Sequence, residues 1–336
     1  MKNILTKIFN NEILSHEEIE KVFRWALIKA IAPAAIGAFI FGLAKKGVTT
    51  EELTSLTKIL RSYAQRIDVG CSIVDSCGTG ADNSQTFNIS TASAIVAASF
   101  GAKVVKQTNS SITSRTGSSE FIHYLKLPLC TTEEQVKEQV NKHNIAFVHS
   151  PQFNKAVQIL NPIRQELGIR STFNFTGPMI NPSFPDAQLV GVCEHSMIEK
   201  MANTLNNLGT KRAMIVHGLQ PALDEISICS KTHVYEINNG IIREYYLSPE
   251  DFGMNVAELK TLLGATALYN ANLVIDIFRG KIKDAKVDVI ALNAGAMLYL
   301  NGIAKTLHDG VILAYSAISS GKAYEKLMSI SQASHV

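Results

Sequence analysis

The chain has few of the features that usually assign a function at sight. It has one tryptophan and five cysteines in 336 residues, and charged residues make up only 18%. The cysteines, Cys71, Cys77, Cys130, Cys193 and Cys229, form no CxxC pair and show no metal-ligand spacing. Such wide gaps and an odd number read as reduced thiols in a cytosolic protein rather than a disulfide framework. The net charge of +3 is spread along the chain, which argues against a nucleic-acid stripe. No run reaches the ~20 apolar residues of a membrane span. The nearest, Ala30 to Ala44, is interrupted by Pro33 and reads as buried helix. The first residues mix charged and apolar positions too early for a secretory signal.

What the chain has in quantity is apolar sequence, 46% of it, enough for two structural units. Residues 1 to about 67 contain no convincing strand. Ser15 with Glu18 predicts a capped helix running to Ala32. Pro33 and Gly47 bound a second helix, and Thr49 to Glu52 cap a third through Arg66. From Cys71 onward short β-type runs alternate with helices of 10–15 residues: SIVD, AKVVK, IAFVH, QLVGVC and RAMIVHG. This order predicts a mainly parallel sheet flanked by helices, an α/β domain over 70–336 behind a small helical domain over 1–68 joined by helices around 155–182. HVYEI and IIREYYL flank Asn239-Gly240 and read as a hairpin. The small-residue run VDVIALNAGAMLYLNGIA predicts close helix packing, with Asp288 near the helix start.

Three stretches have the composition of a binding site. The first, Asp75 to Ala94, is a strand, a turn Gly78-Thr79-Gly80-Ala81-Asp82 and a helix start at Ser90-Thr91. Glycines let a backbone approach an anion, and a helix N-terminus offers N–H groups and the positive end of its dipole. The pattern is neither a Walker loop nor GxGxxG, and an ordinary tight turn with hydroxyl capping would look the same. The second places Lys106 at a strand end before a loop of small hydroxyl residues containing Arg115 and Gly117; the alternative is a solvated lysine. The third is Asp224-Glu225 in a loop after RAMIVHG. Adjacent carboxylates suit Mg²⁺, which binds through one or two of them together with substrate phosphates, although such pairs are more often surface charge.

Together with PIRQELGIRSTFNFTGPMINP, HGLQPALDEIS and ALNAGAMLYLNG, in this order, these stretches make the chain resemble the anthranilate phosphoribosyltransferase family, whose fold is shared with pyrimidine nucleoside phosphorylases. The resemblance covers nearly the whole chain. It implies transfer of ribose-5-phosphate from phosphoribosyl pyrophosphate to a small aromatic acceptor, with Mg²⁺, in a cytoplasmic homodimer. It assigns Gly78, Thr79, Gly80, Asp82, Asn88, Ser90, Thr91, Lys106 and Ser118 to the donor, and Asp224 and Glu225 to the metal. It places Arg164 against an acceptor carboxylate, Asn109 between the two substrates, and Gly177 in a hinge. The chain departs from the family mainly on the acceptor side. Gln107-Thr108 stand for His-Gly, Asn154 stands for a channel histidine, and Ala81 stands for glycine; His149 is a new polar candidate. These changes predict retained donor chemistry with altered acceptor choice. Two other readings remain open: a non-catalytic, nucleic-acid-binding homologue, and a nucleoside phosphorylase, which would need no acidic metal pair.

Overall fold

The computed structural model describes residues 1–108 and 118–332. The chain opens with four helices: α1 (Lys2–Phe9), α2 (His16–Leu27), α3 (Pro33–Lys46) and α4 (Thr50–Ser62). There follow β1 (Val74–Gly78), α5 (Ile89–Ser99), β2 (Val104–Thr108), α6 (Ser118–Tyr124), β3 (Leu129–Cys130), α7 (Glu133–His143) and β4 (Ile145–His149). Next are α8 (Lys155–Leu167), α9 (Thr172–Thr176), β5 (Ala187–Gly191), α10 (Ile198–Asn207), β6 (Arg212–Gly218), β7 (Thr232–Asn238) and β8 (Ile241–Leu247). Four helices complete it: α11 (Ala267–Phe278), α12 (Ala285–Leu300), α13 (Leu307–Ser319) and α14 (Lys322–Gln332).

The expected caps are formed. Both Ser15 with Glu18 and Thr49 with Glu52 close reciprocal capping boxes, and Pro33 occupies the first turn of α3. Two helices stop earlier than the pattern predicts, each for a local reason. After α2, Lys29 takes a left-handed conformation. After α4 the chain straightens: Gln65 N–H donates to Phe153 O at 2.7 Å and Ile67 N–H to Pro182 O at 3.0 Å. Helix α1 has no side-chain cap to announce it, so the sequence pattern does not predict it.

The eight strands form one sheet in the order β3-β4-β2-β1-β5-β6-β7-β8. The pairs from β3 to β6 are parallel, and the β7–β8 hairpin continues the sheet antiparallel from β6. Strands β1 and β2 are parallel neighbours, so their carboxyl ends, Gly78 and Thr108, lie at the same edge. On one face α5 packs between strands and α12; a Cβ on Gly295 of α12 would meet Val311 N of α13 at 2.5 Å, so the expected close packing is real. On the other face the apolar sides of β5 and β6 (Val190, Ala213, Ile215), with Val192 just beyond β5, join α1–α4, α8, α9 and α10 in one core. The helical unit therefore shares its interior with the back of the sheet. No helix among the described residues is long and apolar enough to cross a membrane.

Candidate active site

A cavity of about 650 Å³ lies between the carboxyl ends of the parallel strands and α4, α8 and α9. This is where ligands sit in open α/β sheets. Its lining includes Gly78, Thr79, Gly80, Asp82, Asn88, Ser90, Lys106, Gln107, Ser118, His149, Arg164, Gly177, Asp224 and Glu225. Most of the candidate residues are thus brought to one space. Thr91 and Asn154 are not part of the lining, and Asn109 lies outside the described residues, as do Arg115 and Gly117.

The glycine turn is tied to its neighbours by three hydrogen bonds at Thr79 and Gly80. Thr79 N–H donates to Gly191 O at 2.9 Å, and Thr79 Oγ1 accepts from Cys193 N–H at 2.9 Å. Gly80 N–H donates to Asp224 Oδ2 at 2.7 Å. A Cβ on Gly191 would stand 1.5 Å from Asp224 O, so only glycine lets the acidic loop sit against β5. Sequence reasoning missed Gly191, whose one signal is a glycine at the carboxyl end of QLVGVC. The turn continues through Gly80, Ala81, Asn83 and Gln85, all at positive φ between 54° and 66°. Ala81, at φ 61°, keeps a glycine conformation with a Cβ present, as do Asn83 and Gln85 beyond it.

Lys106 is 2% exposed, which removes the solvated-lysine reading. It stands in the middle of β2 rather than at the expected strand end, and its Nζ donates to Ser76 O and, at 3.3 Å, to Ser90 Oγ at the start of α5. A buried ammonium over a helix N-terminus makes that end of the cavity anion-binding. Asn88, at the N-cap position, accepts from Asn270 Nδ2 at 3.1 Å and makes no cap hydrogen bond of its own. Thr91, assigned to the donor from the resemblance, is in the first turn of α5 but 1% exposed and not part of the cavity lining.

Across from the lysine stand three carboxylates. Asp82 accepts from Ser84 Oγ at 2.8 Å and from Asp224 N–H at 3.4 Å. Burial, then the charge of Asp82, pushes the Asp224 carboxyl up to about 8. Burial and Asp224 push Glu225 up as well. Crowded acids of this kind are stabilised by a cation. Among the described residues no group of three or more His, Cys, Asp or Glu is arranged to hold a metal by itself. An open acidic pair facing a phosphate cradle fits Mg²⁺, which completes its shell with phosphates and water.

At the opposite end, Arg164 on α8 lines the cavity between Asn161 Oδ1 and Asn174 Oδ1, each at 3.4 Å. Burial alone pushes its pKa down to about 10, with no carboxylate contributing. Arg164 is therefore a half-buried cation suited to an incoming anion. Burial also lowers the pKa of His149, favouring the neutral ring. Gln107 Nε2 donates to Gly177 O at 2.8 Å. The remaining altered positions are structural. Thr108 is buried and donates to Val148 O at 3.0 Å. Asn154 caps α8 by accepting from Ala156 and Val157 N–H, and its Nδ2 donates to Leu60 O at 2.9 Å. The expectation that Asn154 lines the acceptor channel is corrected accordingly: its amide is consumed by a helix cap.

A helical unit set over a mainly parallel sheet, with one large cavity between, defines the class. Residues 2–64 match the description "Glycosyl transferase family, helical bundle domain", and residues 70–324 match "Glycosyl transferase family, a/b domain". The chain is 41% identical over 324 residues to an anthranilate phosphoribosyltransferase of Desulfosudis oleivorans, covering 96% of this chain and 95% of that one. The anthranilate phosphoribosyltransferase of Thermus thermophilus superposes with a TM-score of 0.90 at 31% identity, covering 99% of both chains. The Saccharomyces cerevisiae enzyme, solved in complex with PRPP and Mg, has a TM-score of 0.89 at 23% identity, covering 99% of this chain and 97% of that one; it shares the fold. The chain belongs to the anthranilate phosphoribosyltransferase family.

Proposed function

We propose that this protein transfers the 5-phosphoribosyl group of phosphoribosyl pyrophosphate to the amine of anthranilate and releases pyrophosphate. The observation that carries this reading is a single cavity with a cationic phosphate cradle and acidic pair at one end and Arg164, on which no carboxylate acts, at the other. Gly78, Thr79, Gly80 and Asp82, with Asn88 and Ser90, receive the donor's phosphates and ribose. Lys106 supplies positive charge beside them, and Ser118 borders the same space. Asp224 and Glu225 would hold Mg²⁺, which when bound neutralises the leaving pyrophosphate. Arg164 takes the acceptor carboxylate and thereby aims the neighbouring amine at C1 of the ribose; Gln107, His149 and Gly177 wall that end. As the C1–oxygen bond breaks, positive charge develops on the ribose while the chain's N–H groups and Lys106 stabilise the departing phosphates. Catalysis is then mainly alignment of a weak nucleophile, so no strong protein base is required.

Anthranilate is preferred to an altered acceptor because Thr108 and Asn154, two of the changed residues, are absorbed into structure. A close analogue remains the second reading, favoured by Gln107 and His149, which do line the cavity. The same proposal divides the chain into residues 1–68 and 70–336 and includes a cytosolic homodimer. The exposed Phe9, Ile13, Ile28 and Phe41 of the helical unit support the dimer. The test is pyrophosphate release with phosphoribosyl pyrophosphate, Mg²⁺ and anthranilate. Turnover is expected at micromolar anthranilate and is lost on chelation or in Asp224→Asn/Glu225→Gln. Turnover only with another aromatic acid overturns the acceptor, and full activity in the double variant overturns the metal assignment.

A further inference from the structure

Beneath the acceptor end of the cavity, three neighbouring strands carry a hydrogen-bond deficit that the proposed chemistry does not use. Gln107 on β2, Asp75 on β1 and Gln188 on β5 share one face of the sheet. Asp75 is in register with Gln188, and by the Val74–Val104 register it stands beside Val105, two residues before Gln107. All three are at most 2% exposed. Their donors converge on one segment of chain: Gln107 Nε2 on Gly177 O at 2.8 Å and Gln188 Nε2 on Pro178 O at 3.0 Å. Arg61 Nε, reaching from α4, takes the next carbonyl, Met179 O, at 2.7 Å. Asn181 Nδ2 then donates to Asp75 Oδ2 and Val105 O, both at 2.8 Å. Three successive carbonyls, the first two on cavity-lining residues, are thus clamped from three elements.

The clamp leaves three buried oxygens without a partner: Asp75 Oδ1, Gln107 Oε1 and Gln188 Oε1. Flipping either glutamine would bring its oxygen against a carbonyl, so the amides cannot correct the deficit themselves. An ionised carboxylate would add a charge to a region already short of donors, whereas one proton converts an acceptor into the donor required.

We propose that Asp75 is held as the neutral carboxylic acid, that its O–H is the donor to one of the two flanking amide oxygens, Gln107 Oε1 or Gln188 Oε1, and that it acts as a positioning residue for the acceptor wall formed by Gln107, Gly177 and Pro178. Burial pushes the Asp75 carboxyl above its usual range; Lys106, Asn181 and the N–H groups of Ser76 and Gln107 pull the other way. Lys106 is the largest counterweight, but its register opposite Ser76 directs it to the other face, where it donates to Ser76 O and Ser90 Oγ. The nearby ionisable groups do not supply the proton's role: Cys77, on the same strand, is pushed up to about 12 and stays a thiol, and Arg61 is bound to Met179 O.

The kinetic part of the test rests on the function proposed above; the spectroscopic part does not, so the two can fail separately. In protein labelled at aspartate Cγ, the carboxyl resonance that is kept in Asp224→Asn should remain at its protonated position from about pH 6 to about pH 8. It should be absent in Asp75→Asn. Absence of such a resonance from the wild type overturns the proposal, whether or not any variant folds. In the assay, Asp75→Asn keeps a donor and should leave the anthranilate KM within about twofold. Asp75→Leu removes the donor and should raise that KM about tenfold or more, with a smaller change in the donor KM. An Asn variant as impaired as the Leu variant overturns the proposal, because the carboxylate charge would then be what matters.

Discussion

At the scale of single residues, the donor turn and the acceptor arginine make opposite predictions about stability and function. Ala81 sits at φ 61° where a Cβ is unfavourable. Ala81→Gly should therefore stabilise the protein by ~1 kcal/mol, the usual strain of a non-glycine residue in that region. In a chain of this length this corresponds to a rise in Tm of roughly 2 °C by calorimetry. Unchanged or lowered Tm would mean that the turn relaxes around its alanine. Arg164 is the converse case. It lies between two asparagine oxygens with no carboxylate acting on it, so its removal strands no charged partner and should be tolerated by the fold. Its proposed role is to meet the acceptor's charge. Losing a charged hydrogen bond is worth about 1.5–3 kcal/mol, so Arg164→Gln should raise the anthranilate KM roughly 10- to 100-fold and leave the donor KM unchanged. A lysine should rescue it poorly, because the bidentate fork is lost. Equal changes in both KM values would place Arg164 in the architecture rather than at the acceptor.

At the scale of elements, α8 shows why part of the site was legible and part was not. Its period, its Arg164 and its Gly168 stop are local properties of the sequence, as are the strands that carry Gly78 and Lys106 and the loop after β6 that carries Asp224. Local chemistry does not say which way a side chain at an element boundary is used. Asn154 stands one residue before α8, where a polar side chain can face a ligand or cap the helix, and the capping geometry wins. Thr91 likewise belongs to the first turn of α5, where Ser90 faces the cavity and Thr91 is buried. Gly191 was missed because its importance is tertiary, set by an acidic loop that arrives only after β6, and Asp75 because its partners come from separate segments. The cap makes a prediction that separates the two roles. Asn154→Ala loses the N-cap and the bond to Leu60 O, which should destabilise the protein by ~1–2 kcal/mol in denaturant. Its steady-state constants should match the wild type. A raised anthranilate KM at unchanged stability would restore Asn154 to the acceptor wall.

At the scale of the whole molecule, the division between helical unit and sheet domain is one of topology more than of core. Ile19, Phe39, Leu53 and Leu56 of the first four helices pack in the same buried cluster as Val190 and Ile215 of the sheet, through Leu160 of α8 and Met201 of α10. Arg61 of α4 reaches Met179 O, and Gln65 and Ile67 bond to Phe153 and Pro182, so backbone polar groups cross the boundary too. Within the helical unit, Glu52 is fully buried, paired with Lys46 at 2.6 Å and accepting from Leu14 N–H at 2.9 Å. Breaking that pair leaves an unpaired buried ammonium, a loss of about 3–5 kcal/mol. If the units were independent, Glu52→Gln would melt the helices alone and leave the sheet domain's transition in place. The shared core predicts otherwise: one calorimetric transition in the wild type, shifted as a whole in Glu52→Gln, with no separate low-temperature peak. A fragment ending at residue 68 should remain largely unfolded by circular dichroism, because α8, α10 and the back of β5 and β6 supply the other half of its interior. Two resolved transitions, or a cooperatively folded fragment, would show that the cavity lies between bodies that can open independently.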